Sequence, residues 1–252
     1  MYFFELFLFV GVVNAGHLSL EPMNEGKIFG GQDAKDGDAP WQVAIQKPLN
    51  RTFLCGGSIL NKHWVVTSAS CIGNTSAAFL KVRYNTLKLG GGFTLFVTKV
   101  IKHENYSEYP RDYDIALVRT LGIIFPGRKN SNPIKLPEKD ETKTNGTQIT
   151  ISGWGTYTNG SEEYSQNLKL GKLTISDQTK CKQIYSNEIT DRMFCAKDDK
   201  SKVYSGKGDD GGPASKDKTL IGILITQYHK CNEYDIFTNV YQFVSWIKKH
   251  IN

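Results

Sequence analysis

The chain has 252 residues, 39% of them hydrophobic and 22% charged, with a formal net charge of +6. That balance fits a globular body with a sizeable core and excludes a largely disordered chain. From Ile28 onward 30 basic and 22 acidic side chains remain, a surplus of about +8, but lysines alternate with acids in stretches such as KDDKSK and EKDETK. No basic stripe marks a nucleic-acid surface, so none is expected as a partner. The only long apolar run, MYFFELFLFVGVVNA, is too short to span a bilayer.

That run ends in the small residues Val13 and Ala15 and reads as a signal peptide over 1–15, despite Glu5 and the lack of Lys or Arg before the apolar run. Residues 16–27 then read as a short propeptide, and 28–252 as the folded domain. From Ile28 the text consists of β-rich segments separated by turn residues: WQVAIQ, WVVTSA, FLKVRY, FTLFVTKV, DIALVRT, QITISGW, LKLGKLTI, TLIGILIT and DIFTNV. No helices alternate with them, so the fold class is all-β, two packed barrels or a large sandwich. A polar stretch at 137–147 reads as the connector between two halves, about 28–136 and 148–240. In YQFVSWIKKHIN, Phe243, Trp246, Ile247 and Ile251 fall at helical spacing, which predicts one amphipathic C-terminal helix.

Five cysteines (Cys55, Cys71, Cys181, Cys195, Cys231) in an exported chain point to disulfides, and the odd number leaves one thiol without an intramolecular partner. Their spacing is too wide for a zinc knuckle, and neither a metal nor a cofactor is expected. Sequons at Asn50, Asn74, Asn105, Asn145 and Asn159 are expected on exposed turns if glycosylated.

IFGG at 28–31, WVVTSASC at 64–71, DIALV at 114–118, SGWG at 152–155, GDDGGP at 208–213 and the terminal helix occur in one order with fixed gaps. Together they resemble the trypsin-like serine proteases of the chymotrypsin fold. VRYNTLKLGGG at 82–92 is similar to mite digestive enzymes of the group-three allergen type, and the altered blocks resemble the scabies mite inactivated serine protease paralogues. The resemblance implies two six-stranded antiparallel barrels with a cleft between them. It also implies pairing of Cys55 with Cys71 and Cys181 with Cys195, and leaves Cys231 free because Gly206 replaces its family partner.

Serine-protease acyl transfer needs a hydroxyl nucleophile, an imidazole base and a carboxylate that fixes the imidazole. By the resemblance, Ser70 stands where the imidazole belongs, Asp210 where the nucleophile belongs, and only Asp114 matches. Ser70 is expected to be a small polar residue tolerated in a cleft. The charge of Asp210 falls near the N–H groups of Gly208 and Asp210 that the family uses as an oxyanion hole. His63, His103, His229 and His250 lie outside the catalytic blocks and read as surface residues, while His17 belongs to the removed segment.

Tyr204 replaces the aspartate that selects Lys and Arg. Ile225, Thr226 and Gln227 stand where active members carry Ser, Trp and Gly, and Asp235 aligns with a second wall glycine. A filled pocket follows, although drift after loss of activity accounts equally well for these identities. The activation device is retained: Lys27 offers a cleavage site, and Ile28 and Asp209 are the pair that buries the new ammonium group.

The expected function is that of a secreted pseudoprotease binding protein ligands, with host plasma and complement proteins implied by the resemblance. One alternative is a hydrolase of another class using Asp114 and Asp210, since carboxylates about 5–9.5 Å apart support acid–base work. Another is a decoy for protease inhibitors or substrates.

Overall fold

Why the chain closes into barrels is written in its alternating strands. In a computed structural model, residues 28, 30–48, 52–156, 163–185, 188–200, 202–225 and 234–251 are described. The predicted signal peptide and propeptide, together with Asn50, Asn159, Gln227, His229 and Cys231, lie outside them. A two-residue strand β1 (Gln32–Asp33) leads into six strands: β2 (Gln42–Gln46), β3 (Phe53–Ile59), β4 (Trp64–Thr67), β5 (Lys81–Tyr84), β6 (Phe93–Lys102) and β7 (Ala116–Thr120). They form a closed antiparallel barrel in the order β2-β3-β4-β7-β6-β5. Six more follow: β8 (Gln148–Gly153), β9 (Lys169–Ile175), β10 (Met193–Lys197), β11 (Pro213–Lys216), β12 (Thr219–Ile225) and β13 (Asp235–Asn239). These run in the order β9-β10-β13-β12-β11-β8, and β8 pairing with β9 closes a second barrel with the same connectivity. Closure removes free edges, and β1 adds to β9 at Gln32–Leu170.

Two main apolar clusters fill the barrels, the first also taking in Leu220 and Ile223 of β12. One cluster centres on Val43, Ile45, Val66, Val82 and Leu117, and the other on Ile149, Ile151, Phe194, Leu224 and Phe237. A turn of 3₁₀ helix at Val240–Phe243 leads into the terminal helix Val244–Ile251, whose Phe243 and Ile247 join the core cluster of the first barrel. The end of the chain thus straps the second barrel back onto the first.

The structure corrects the element reading in three places. β3, β10 and β11 carry no strand signal of their own, because FLCGGSI and PASK hold glycines or small residues instead of a clean two-residue alternation and MFCAK is short. WVVTSA is strand only as far as Thr67. Ser68 then adopts extended φ/ψ (−82°, 147°) and its Oγ accepts the Cys71 N–H, capping the short helix α1 (Ala69–Ile72). A second unpredicted helix, α2 (Gln178–Tyr185), buries Cys181 and Tyr185, so the terminal helix is α3. Cys55 is bonded to Cys71 and Cys181 to Cys195. Asn74, Asn105 and Asn145 all lie on exposed turns or loops.

Candidate functional site

Three segments converge where the barrels meet. Ser70 sits in α1 after β4, Asp114 precedes β7, and Asp210 lies in the loop between β10 and β11. The Asp210 carbonyl accepts the Gly56 N–H at 2.9 Å, which ties that loop to β3 of the other barrel. Gly211 has φ +70°, and a Cβ there would stand 2.1 Å from Thr67 Oγ1, so the loop approaches β4 as only glycine permits.

Asp114 is fully buried, and both its oxygens are occupied by one residue. The Ser70 N–H donates to Oδ1 at 2.7 Å and the Ser70 hydroxyl donates to Oδ2 at 2.6 Å. Burial pushes the carboxyl up to about 6, against the two Ser70 bonds and Arg111, which favour the anion. Ser70 therefore supplies the donor that a buried carboxylate needs, and this explains why a hydroxyl is tolerated there.

The residues just before Asp114 are clamped to the second barrel. Tyr113 takes φ +52°, a conformation costly for a bulky residue. Arg192 lies 4.4 Å over its ring and pairs with Asp112, Nε to Oδ1 at 2.9 Å, while Thr190 donates to the same oxygen at 3.0 Å. Burial raises the Asp112 carboxyl, but these partners outweigh it and leave it below its ordinary value. Arg192 and Thr190 belong to the second barrel and Asp112 to the first, so the clamp also fixes the cleft.

Asp210 directs its charge across the cleft, with Oδ1 3.7 Å from Arg111 Nη1. Asp209 is 1% exposed and accepts the N–H groups of Gly155 (2.8 Å) and Gly206 (2.9 Å). Among the described residues no cation touches it, and burial raises it to about 7, with Asp235 and Asp210 adding to the rise. Both glycines of the SGWG block have a physical reason: a Cβ on Gly153 would stand 2.0 Å from Asp209 Oδ1, and one on Gly155 2.4 Å from Oδ2. Ile28 is buried in the core of the second barrel beside Ile151 and Val203. Gly208 has φ +94°, and its would-be Cβ would meet the Tyr164 ring at 2.7 Å.

In the pocket segment, Asp235 is buried and Ser205 satisfies it, through the N–H at 3.0 Å and the hydroxyl at 2.6 Å. No local motif marks Ser205 for this role. Tyr204 is half-buried. Ile225 packs into the apolar cluster around the Cys181–Cys195 bridge. At Gly206 a Cβ would come 2.2 Å from the Thr156 carbonyl oxygen, so the loop sits closer than any side chain allows.

One histidine departs from expectation. His103 is not a surface residue: its side chain is 9% exposed, stacked 5.0 Å from Trp246 and 4.7 Å from Tyr113, and burial lowers its pKa. The apolar face of α3 makes this pocket, which reading local polarity around His103 missed. His63 and His250 are half-exposed, each with Nδ1 on a backbone carbonyl.

Paired six-stranded barrels with a cleft formed by α1, the segment before β7 and a glycine-rich loop define the architecture of the chymotrypsin-fold hydrolases. The family profile described as Trypsin matches residues 28–247, and this chain belongs to the trypsin family. Trypsin Blo t 3 of Blomia tropicalis is 35% identical over 237 residues, covering 89% of this chain and 86% of that protein. The crystal structure of scabies mite inactivated protease paralogue S-D1 superposes with a TM-score of 0.81 at 28% identity, covering 88% of this chain and 97% of that one. Paralogue S-I1 gives 0.78 at 26%, covering 88% and 98%. The sequence relatives are named trypsins, whereas these two solved structures are inactivated paralogues.

Proposed function

We propose that this chain is a secreted trypsin-family homologue without protease activity that acts by binding macromolecules, host plasma and complement proteins among them. One observation carries the reading: Ser70 occupies both oxygens of Asp114, so the cleft holds a satisfied carboxylate and, among the described residues, no imidazole against it. A hydroxyl does not accept a proton usefully near neutral pH, and a carboxylate at 210 is a poor nucleophile toward an amide. The Asp210 carboxylate is paired with Arg111 at 3.7 Å. Asp114 cannot serve a carboxylate-pair hydrolase either, because it is buried and its oxygens are already taken. What remains is a rigid scaffold displaying loops, a surface suited to recognition.

The test has two arms, applied to protein cleaved after Lys27. Fluorophosphonate labelling and ester hydrolysis should both be nil, and labelling in the cleft overturns the inactivity. Immobilised protein should retain a saturable set of plasma proteins, identified by mass spectrometry. Failure to retain any overturns the choice of partner.

A further inference from the structure

Away from the cleft, a cavity of about 760 Å³ opens between the outer face of the first barrel, the segment 124–133 and the end of α3. Its floor is apolar, formed by Ile59, Trp64, Ile124 and Ile251, and its mouth carries Lys62, Lys99 and Arg119. No lining residue is acidic, and among the described residues none of these three cations forms an ion pair. Lys99 and Arg119 are directly opposed across β6 and β7. Like charges in that register repel, and among the described residues no acidic group pairs with either. Arg119 is in turn opposite Trp64 on β4, so the cations adjoin the aromatic floor. The Lys62 carbonyl receives the Ile124 N–H at 2.8 Å, which brings alongside the mouth a segment whose Leu121, Ile123 and Phe125 are 60%, 41% and 55% exposed.

We propose that this cavity binds a free long-chain carboxylate, with the acyl chain on the apolar floor and the anionic head between Lys99 and Arg119. The volume lies within the range of ligand sites, about 300–1,000 Å³. A polyanionic glycan would use the charge but leave the apolar floor empty, and a neutral lipid would leave the opposed cations unrelieved. The amphiphilic anion satisfies both. His63 and His250 also line the wall, each with Nδ1 donating to a backbone carbonyl.

The experiment titrates the full secreted chain with cis-parinarate and follows its fluorescence, then displaces it with oleate. Saturable one-to-one binding is expected, competed by oleate and not by acetate or methyl oleate. Lys99→Glu with Arg119→Glu, both at exposed positions, should weaken binding at least tenfold while leaving the urea midpoint close to that of the parent. Absence of saturable binding, equal competition by methyl oleate, or unchanged affinity in the double variant overturns the proposal. So does capture on anionic phospholipid vesicles without binding of monomeric oleate, because that would assign the face to a membrane surface.

Discussion

Replacing Ser70 by Ala tests whether the hydroxyl is there to satisfy Asp114. The substitution removes the 2.6 Å bond to Oδ2 and leaves the 2.7 Å backbone bond to Oδ1. A hydrogen bond to a charged group contributes about 1.5–3 kcal/mol, and one to a neutral group about 1. Asp114 titrates at about 6 in the fold against 3.8 as its ordinary value. With its folded pKa raised, the native state holds the extra proton between those values, so stability falls as pH rises through that window. The full cost of the buried charge, about 3 kcal/mol, is present above pH 6. Ser70→Ala should therefore destabilise by about 2–3 kcal/mol at pH 8, where Asp114 is ionised, and by about 1 kcal/mol at pH 5. The assay is urea unfolding at both pH values with the slope checked for constancy. Asp114→Asn in the same assay should flatten the pH dependence of the parent across this window. Equal losses for Ser70→Ala at the two pH values would refute the reasoning, because the hydroxyl would then not be bonded to an ionising group.

Cleavage after Lys27 should stabilise the protein by supplying an ammonium group at Ile28 to Asp209. Asp209 is raised from 3.8 to about 7 in the uncut chain, so its burial cost grows as pH rises between those values and is complete above them. The gain in melting temperature on cleavage should thus be larger at pH 7.5 than at pH 5.5, and Asp209→Asn should abolish it. Gly206→Cys should not create a bridge to Cys231: the new Cβ meets the Thr156 carbonyl at 2.2 Å, and overpacking of this kind costs about 1–3 kcal/mol. Alkylation followed by intact mass should count two free thiols, and a count of zero would contradict the loop geometry. Ser70→His with Asp210→Ser should not restore turnover on ester or peptide panels. Ile225 packs into an apolar cluster and offers Asp114 no hydrogen bond, and Tyr204 still stands in the pocket segment. A rate within about tenfold of an active mite trypsin, or about 1.4 kcal/mol of barrier, would show that these surroundings matter less than argued.

Local pattern in the chain determined a good deal by itself. The alternation in FLKVRY and QITISGW fixed which faces go inward, and the spacing of Phe243 and Ile247 fixed the buried stripe of the terminal helix. Motif order identified Ser70, Asp114 and Asp210 as the residues of the cleft, because blocks with fixed gaps preserve position even when their chemistry changes. Strands rich in glycine or small residues were not legible, since pairing with neighbours and not their own periodicity makes FLCGGSI and PASK strands. Tertiary structure alone decided the partners. Ser70 lies 44 residues from Asp114, Asp112 lies 80 from Arg192, and Lys99 faces Arg119 through barrel register. His103 is shielded only because α3 folds back over it. Such contacts depend on how barrels close and pack, and a closed barrel brings together residues that no local period relates.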